Sequence, residues 1–240
     1  KTGSDVLLVR HIEPCSSGDA NCDADTTGKL YFQSSRCTNE ISSRKTAGDP
    51  SYILGTSGHT LRSNMDCDPN PAVTPAVNVP ARKRKFISNI YFIRNYAYSQ
   101  GDGIPTLVRS SFDLNGSTLA HQPAVSLVDG IESFVVEYGL DNIGSNGAAV
   151  SYSGSINRGD GIPDAYVRCT TAVPCIFSQM TNVVAVKLYV LVRNLETTTG
   201  YSDGKTYKLG GVTLGPFNDA YKRHVFASTV RLVNPAGRRE

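Results

Sequence analysis

At 240 residues and a net charge of +3, the chain is long enough to bury a substantial core and too weakly charged to single out nucleic acid or a membrane surface as a partner. Val, Ile, Tyr, Phe and Thr come in runs punctuated by Gly, Asn, Asp, Ser and Pro, the composition of a mostly-β chain with long loops. No apolar run approaches the about 18 residues of a membrane span, and no signal-peptide core is visible.

Residues 5–12 read as a strand, and residues 13–29, crowded with Pro, Ser, Gly, Asp, Asn and Thr, as a loop. Short strands are expected at 30–33 and 51–54. Four prolines between residues 66 and 82 make an extended connector unfit for a central sheet position. The stretch 66–84 is therefore the candidate seam between an N-terminal lobe, residues 1–65, and the rest. Residues 85–98 form the strongest strand in the middle of the chain. It is apolar on both faces and so is expected at the centre of its sheet. Ser99 to Pro105 is a turn, residues 106–112 its hairpin partner, and Asn115-Gly116 a tight-hairpin signal.

A further strand lies within 127–139, with Phe134, Val136, Tyr138 and Leu140 on its apolar face. Residues 141–161 read as a Gly/Ser/Asn loop, 165–169 as a short extended piece and 174–181 as a helical turn. Gly-Asp-Gly-Ile-Pro occurs at 101–105 and again at 159–163 with unlike flanks, which reads as one turn chemistry used twice. Two long strands close the chain, at 182–194 and 221–234, around a polar hairpin-like stretch. In the first, Val184, Val186, Leu188, Val190 and Val192 share one face, while Lys187, Tyr189 and Arg193 stand on the other, the pattern of a half-buried strand.

The six cysteines are an even number in a β-rich chain, which points to disulfides and an oxidising compartment. Zinc would want tighter pairs than these spacings offer. Short loop closure favours Cys169–Cys175 and makes Cys15–Cys22 plausible, which leaves Cys37–Cys67; free buried thiols are the alternative.

Several segments occur in an order that is itself informative. They are Ile90-Tyr-Phe-Ile-Arg-Asn-Tyr96 with Gly101-Asp-Gly-Ile-Pro-Thr-Leu107, then Leu127-Val-Asp-Gly-Ile-Glu132 with Val136-Glu-Tyr-Gly139, then Gly161-Ile-Pro-Asp-Ala-Tyr-Val167. Last comes the block from Asn182-Val-Val-Ala-Val through Pro216-Phe-Asn-Asp to Arg231-Leu-Val-Asn-Pro-Ala-Gly-Arg-Arg239. Over these stretches, from residue 85 to the end, the chain resembles the PilW family, minor pilins of type IV pili. The resemblance implies a single pilin-like α+β head over residues 1–240, built on antiparallel sheets. Family members carry a long apolar N-terminal helix, absent from this chain, that anchors them in the membrane.

The implied work is non-enzymatic pilus assembly, in a priming or tip complex with other minor pilins and a large tip adhesin. The implied place is the inner membrane facing the periplasm, and the pilus tip at the cell surface. J-type pseudopilins of type II secretion look similar and are the rival reading; a secreted adhesive or carbohydrate-binding β module is a more distant one.

PilW-like proteins often have an Asp-rich loop after the Val-Glu-Tyr-Gly strand, so Asp160 and Asp164 are the calcium candidates here. Arg158 stands where another acid would help, and a solvated Asp/Gly turn is the plainer reading. The four histidines His11, His59, His121 and His224 are scattered, and Gly55-Thr-Ser-Gly58 is not a nucleophile elbow. Glu132 and Glu137 fall on opposite faces of one strand by parity and are not expected to act together. No catalytic residues are assigned. Arg82-Lys-Arg-Lys85 reads as a solvated strand edge rather than a phosphate contact, Arg158-Gly-Asp160 as a turn rather than an adhesive tripeptide, and Asn115-Gly-Ser117 as a hairpin tip.

Overall fold

The structure, a computed structural model, describes residues 3–43, 51–67, 78–152, 156–237 and 239. Of the proline-rich stretch 66–84, residues 68–77 lie outside the described residues, as do residues 153–155 of the loop 141–161.

Strands dominate. In chain order they are β1 (Leu7–Ile12), β2 (Tyr31–Ser34), β3 (Tyr52–Gly55), β4 (Arg84–Arg94), β5 (Thr106–Asn115), β6 (Thr118–His121), β7 (Val125–Asp129) and β8 (Ile131–Leu140). There follow β9 (Ala165–Val167), β10 (Val183–Arg193), β11 (Tyr207–Leu209), β12 (Val212–Leu214) and β13 (Arg223–Arg231). Three short helices are α1 (Thr38–Ser43), α2 (Phe177–Thr181) and α3 (Val233–Ala236). Among the described residues, no helix is long and apolar enough to cross a membrane.

Seven strands form one sheet in the order β3-β2-β4-β5-β6, with β1 beside β4 and β7 beside β5. β4 is central, as its two apolar faces require. Asn115 pairs with Thr118 across a two-residue loop in which Gly116 takes φ +64°, a value that favours glycine. A second, antiparallel sheet runs β13-β10-β8-β9, and β11 and β12 form a hairpin of their own.

The chain divides into two compact units, Lys1–Leu7, Tyr91–Val108 and Ser126–Glu240 in one, and Leu8–Ile90 and Arg109–Val125 in the other. The chain passes from one unit to the other within β1, β4, β5 and β7.

In the unit of Leu8–Ile90 and Arg109–Val125, the core gathers Tyr31, Gln33, Leu61, Ala81 and the Cys37–Cys67 disulfide, all buried. A buried amide must be fully partnered. Gln33 donates Nε2–H to Ala81 O at 2.6 Å and accepts Leu61 N–H at 3.0 Å, which ties β2 to two loops.

The other unit packs on both faces of the four-stranded sheet. Ile131, Phe134 and Val136 with Ile93 build one cluster, against which Val186, Leu188, Val190 and Val192 pack half-buried. Val135 and Leu191 with Tyr207 and Leu209 build the other. Here the structure departs from the expectation of a half-buried strand. The polar stretch 194–221 hides the β11–β12 hairpin, whose Tyr207, Leu209, Val212 and Leu214 cover the second face. Leu191 is thereby wholly buried. The hairpin turns at Gly210, at φ +58°, where a Cβ would collide with the Glu137 carboxylate and the Tyr189 ring.

Candidate interaction surface

Period-two burial brings β8, β10 and β13 together, and their polar residues then organise the loops. Arg223, at the start of β13, has a side chain with no solvent exposure. Its Nε donates to Glu132 Oε2 at 2.5 Å, its Nη1 to Asp203 Oδ2 at 2.9 Å and to Asp219 Oδ1 at 2.6 Å, and its Nη2 to Asp219 Oδ2 at 2.7 Å. The guanidinium also lies 3.8 Å from the centroid of the Phe217 ring. Burial pushes its pKa down, but hydrogen bonds to Asp219, Glu132 and Asp203 outweigh that and hold it above the usual value.

Asp203, fully buried, also accepts the Tyr207 and Tyr201 hydroxyls at 2.9 and 3.2 Å. Burial pushes its pKa up; the bonds from Arg223, Tyr207 and Tyr201 bring it below the ordinary carboxylate value. Burial, then the Asp203 carboxylate, holds the Tyr207 phenol well above its ordinary value. This cluster latches residues 194–222 onto the sheet.

Glu132 reaches the latch because of a bulge. Leu191 pairs with Ser133 and Val192 with Ile131, so Glu132 is the extra residue. Strict alternation along β8 is thereby broken at Glu132, which turns to the same face as Glu137. Glu132 meets Arg223, and Glu137 accepts the Tyr189 hydroxyl at 3.2 Å and the Gly211 N–H at 3.0 Å, so both carboxylates serve the 194–222 stretch, through separate partners.

At the end of the sheet where β10 begins and β13 finishes, a second buried ion pair forms. Arg239 Nη1 lies 3.5 Å from Asp141 Oδ2 and donates to Asp141 O at 3.0 Å. Its Nη2 donates to the Tyr152 hydroxyl, Thr181 O and Asn182 Oδ1 at 2.9, 2.6 and 3.0 Å. Asp141 accepts the Gly161 N–H at 2.8 Å, and Gly159, at φ +90°, passes so close that any Cβ would strike its carboxylate.

The calcium candidates sit beside this pair but are engaged with the backbone. Asp164 Oδ2 accepts the Asn142 and Ile143 N–H groups at 2.7 and 2.9 Å, and Asp160 Oδ1 accepts the Ile162 N–H at 2.9 Å. Among the described residues, the one group of three potential metal ligands is Cys37, Glu40 and Cys67, and its two sulfurs are bonded to each other. The structure joins Cys15 to Cys22, Cys37 to Cys67 and Cys169 to Cys175, with Cα separations of 6.1, 5.4 and 5.1 Å.

The basic run is not a solvated edge. Lys83 pairs with Asp25, Lys85 with Asp23 at 2.6 Å and Arg82 with Asp19 at 3.6 Å. Asp19 lies in the loop that Cys15–Cys22 closes and Asp23 and Asp25 just after it, so the run pins this segment rather than facing solvent unpaired. The Asp23 hydrogen bond raises the Lys85 pKa, and the same bond lowers that of Asp23.

The histidines stay apart. His59 contacts Tyr31 O at 3.1 Å, and exposed His224 packs edge-on against Phe226. His121 lies 3.5 Å from Ser110 Oγ, but that hydroxyl donates to Gln122 O at 2.7 Å. No nucleophile is primed there.

The ordered elements from β4 to β13 are what the comparison with known families recognises. The model of the family described as type IV pilus-assembly protein W, PilW, matches residues 90–234. The chain belongs to the PilW family. Among curated proteins and among solved structures, no match was found. The family's work is the assembly of type IV pili, which involves protein partners of the pilus machinery and the cell envelope or surface. In this PilW-family chain, the match takes in the whole four-stranded sheet, the β11–β12 hairpin and the Arg223 latch. The Cys15–Cys22 and Cys37–Cys67 bridges lie outside it.

Asp141, Asp203 and Arg239 were not legible as a site. Each is an ordinary loop residue by pattern, and each becomes important through a contact across the fold. The one available signal is that Asp141 directly follows an apolar strand.

Proposed function

We propose that this chain is the head of a minor pilin that, with other minor pilins, forms the complex that primes type IV pilus assembly and sits at its tip, and that it does no chemistry of its own. The observation that carries the reading is the PilW match over residues 90–234, which coincides with the twin-cored sheet and its latched loop. A buried core on both faces of one sheet makes a rigid platform. On such a platform, exposed strands and loops serve as docking surfaces without needing a deep pocket. The ionisable clusters support the same reading, since Arg223, Asp203, Glu132 and Asp141 are all engaged in holding loops.

The partners proposed are other minor pilin heads and a large tip adhesin, at the inner membrane facing the periplasm and then at the pilus tip. Contacts between such heads typically bury about 1,200–2,000 Å². The test is deletion of the gene, with surface pili counted by electron microscopy, together with co-purification of co-expressed minor pilins. Loss of pili and a stable co-purifying complex are expected. Normal pili beside a defect in export of a folded protein would move the assignment to a J-type pseudopilin of type II secretion.

A further inference from the structure

α2 leads into β10 and α3 follows β13. Because those strands are antiparallel, with Ala185 opposite Arg231, the two helices lie at one end of the sheet. The loop through Gly161 reaches the same place: a Cβ on Gly161 would sit 2.8 Å from Ala236 O. Between them opens a cleft of about 1340 Å³, lined by Phe177, Val233, Tyr152, Arg158 and Arg239 among others.

Two features of this cleft bear on what it could hold. Its apolar residues are turned outward: Phe177 is 85% exposed and Val233 75%. Ile176, beside Phe177, is 59% exposed. Large apolar side chains gathered on a surface mark a place where another molecule sits. Its charge is also one-sided. Two guanidiniums line it, and no carboxylate does among the described lining residues. Arg239 is committed to Asp141, Tyr152, Thr181 and Asn182. Arg158 is exposed, and among the described residues it has no hydrogen-bond or ion-pair partner. The platform beneath is firm. The Cys169–Cys175 bridge closes the loop that delivers α2, and the Ile176 N–H donates to Gln179 Oε1 at 3.1 Å at the start of that helix.

We infer that this cleft is a docking site for an acidic, apolar segment of a partner protein. Phe177 and Val233 would cover the partner's apolar side chains while Arg158 pairs with its carboxylate. A guanidinium beside an exposed ring suits that chemistry, since a charge-assisted pair gains strength where apolar neighbours exclude water. The inference rests on reading the chain as an assembly protein, and it names the face through which a partner would be held.

The test uses a short fluorescent peptide alternating Leu with Glu, and two analogues in which Gln or Lys replaces every Glu. Binding to the purified chain is read by fluorescence anisotropy, and its location by amide chemical shifts. The Glu peptide is expected to bind about tenfold more tightly than the Gln peptide, one charge-assisted pair's worth. Shifts should centre on Phe177, Val233 and Arg158. Arg158→Glu should invert the preference toward the Lys peptide, and Phe177→Ala should weaken binding of all three. Both side chains are exposed, so an unchanged circular dichroism spectrum and Tm show that the variants fold.

Equal binding of the Glu and Gln peptides, shifts elsewhere, no binding at all, or unaltered preference in Arg158→Glu would each overturn the proposal. So would dimerisation of the chain that Phe177→Ala abolishes, which would make a second copy the occupant. Peptide binding with normal pili on the deletion strain would leave the cleft standing and sink the pilus reading. Loss of pili with no peptide binding would do the reverse.

Discussion

Arg223 and Asp203 form an ion pair at 2.9 Å in which neither side chain has any solvent exposure. The two lie 20 residues apart in sequence, and through Glu132, 91 residues from Arg223, the pair joins the 194–222 stretch to β8. Buried charges are tolerated only when each is met. Arg223→Met would remove the cation that Glu132, Asp203 and Asp219 share, leaving Arg193, 4.0 Å from Glu132, as the nearest replacement. The expected loss is about 3–5 kcal/mol of unfolding free energy, measured by urea denaturation. A loss under about 1 kcal/mol, the worth of a surface pair, would show that the latch is not buried in solution.

The same cluster sets an acid limit. Arg223 hydrogen bonds, the largest influence, lower the Asp219 pKa, and Asp203 also ends below its ordinary value. A carboxyl whose folded pKa lies below its unfolded one, about 3.9, contributes stability that is complete above that value and lost as pH falls through the folded pKa. Asp102 extends the window, since the Ile104 N–H and its neighbours hold its pKa at about 2. Stability should therefore fall steeply only below about pH 4. Asp219→Asn should flatten that fall, and an unchanged acid profile in the variant would remove Asp219 from this account.

Gly210 tests the β11–β12 cover. At φ +58° an alanine meets a left-handed backbone, at a cost of roughly 1–2 kcal/mol, before its Cβ strikes Glu137 and Tyr189. Gly204, with no such φ and nothing within 4 Å of a Cβ, is the control. Thermal melts should show Gly210→Ala clearly destabilised and Gly204→Ala near neutral.

The two faces of β10 can be compared directly. Leu191, wholly buried between Val135, Tyr207 and Leu209, should lose about 2–5 kcal/mol on replacement by Ala. Val186, only half-buried in the other cluster, should lose less than Leu191 does. The reverse order in denaturant midpoints would mean that the hairpin does not cover the sheet.

Calcium is the remaining test. Asp160 and Asp164 accept backbone N–H groups rather than facing one another across an open site. Neither calcium chloride nor EDTA should shift the Tm. A rise of several degrees with calcium, lost in Asp164→Asn, would restore the two as ligands.

Local chemistry was legible from the sequence alone. Asp102 and Asp160 accept the Ile104 and Ile162 N–H groups, each at 2.9 Å, so the repeated Gly-Asp-Gly-Ile-Pro stretches do fold with one turn chemistry. A run apolar on both faces located β4, period-two runs located β8 and β10, and Asn115-Gly116 located a hairpin, because backbone sterics and side-chain alternation act within a few residues. Only the tertiary structure decided which faces were covered, that a bulge turns Glu132 toward Arg223, and that the basic run at 82–85 meets the aspartates of residues 19–25. Those outcomes depend on pairings between residues tens of positions apart. No local rule ranks such pairings, since the free energy that selects them comes from burying charge and apolar surface together once the strands have met.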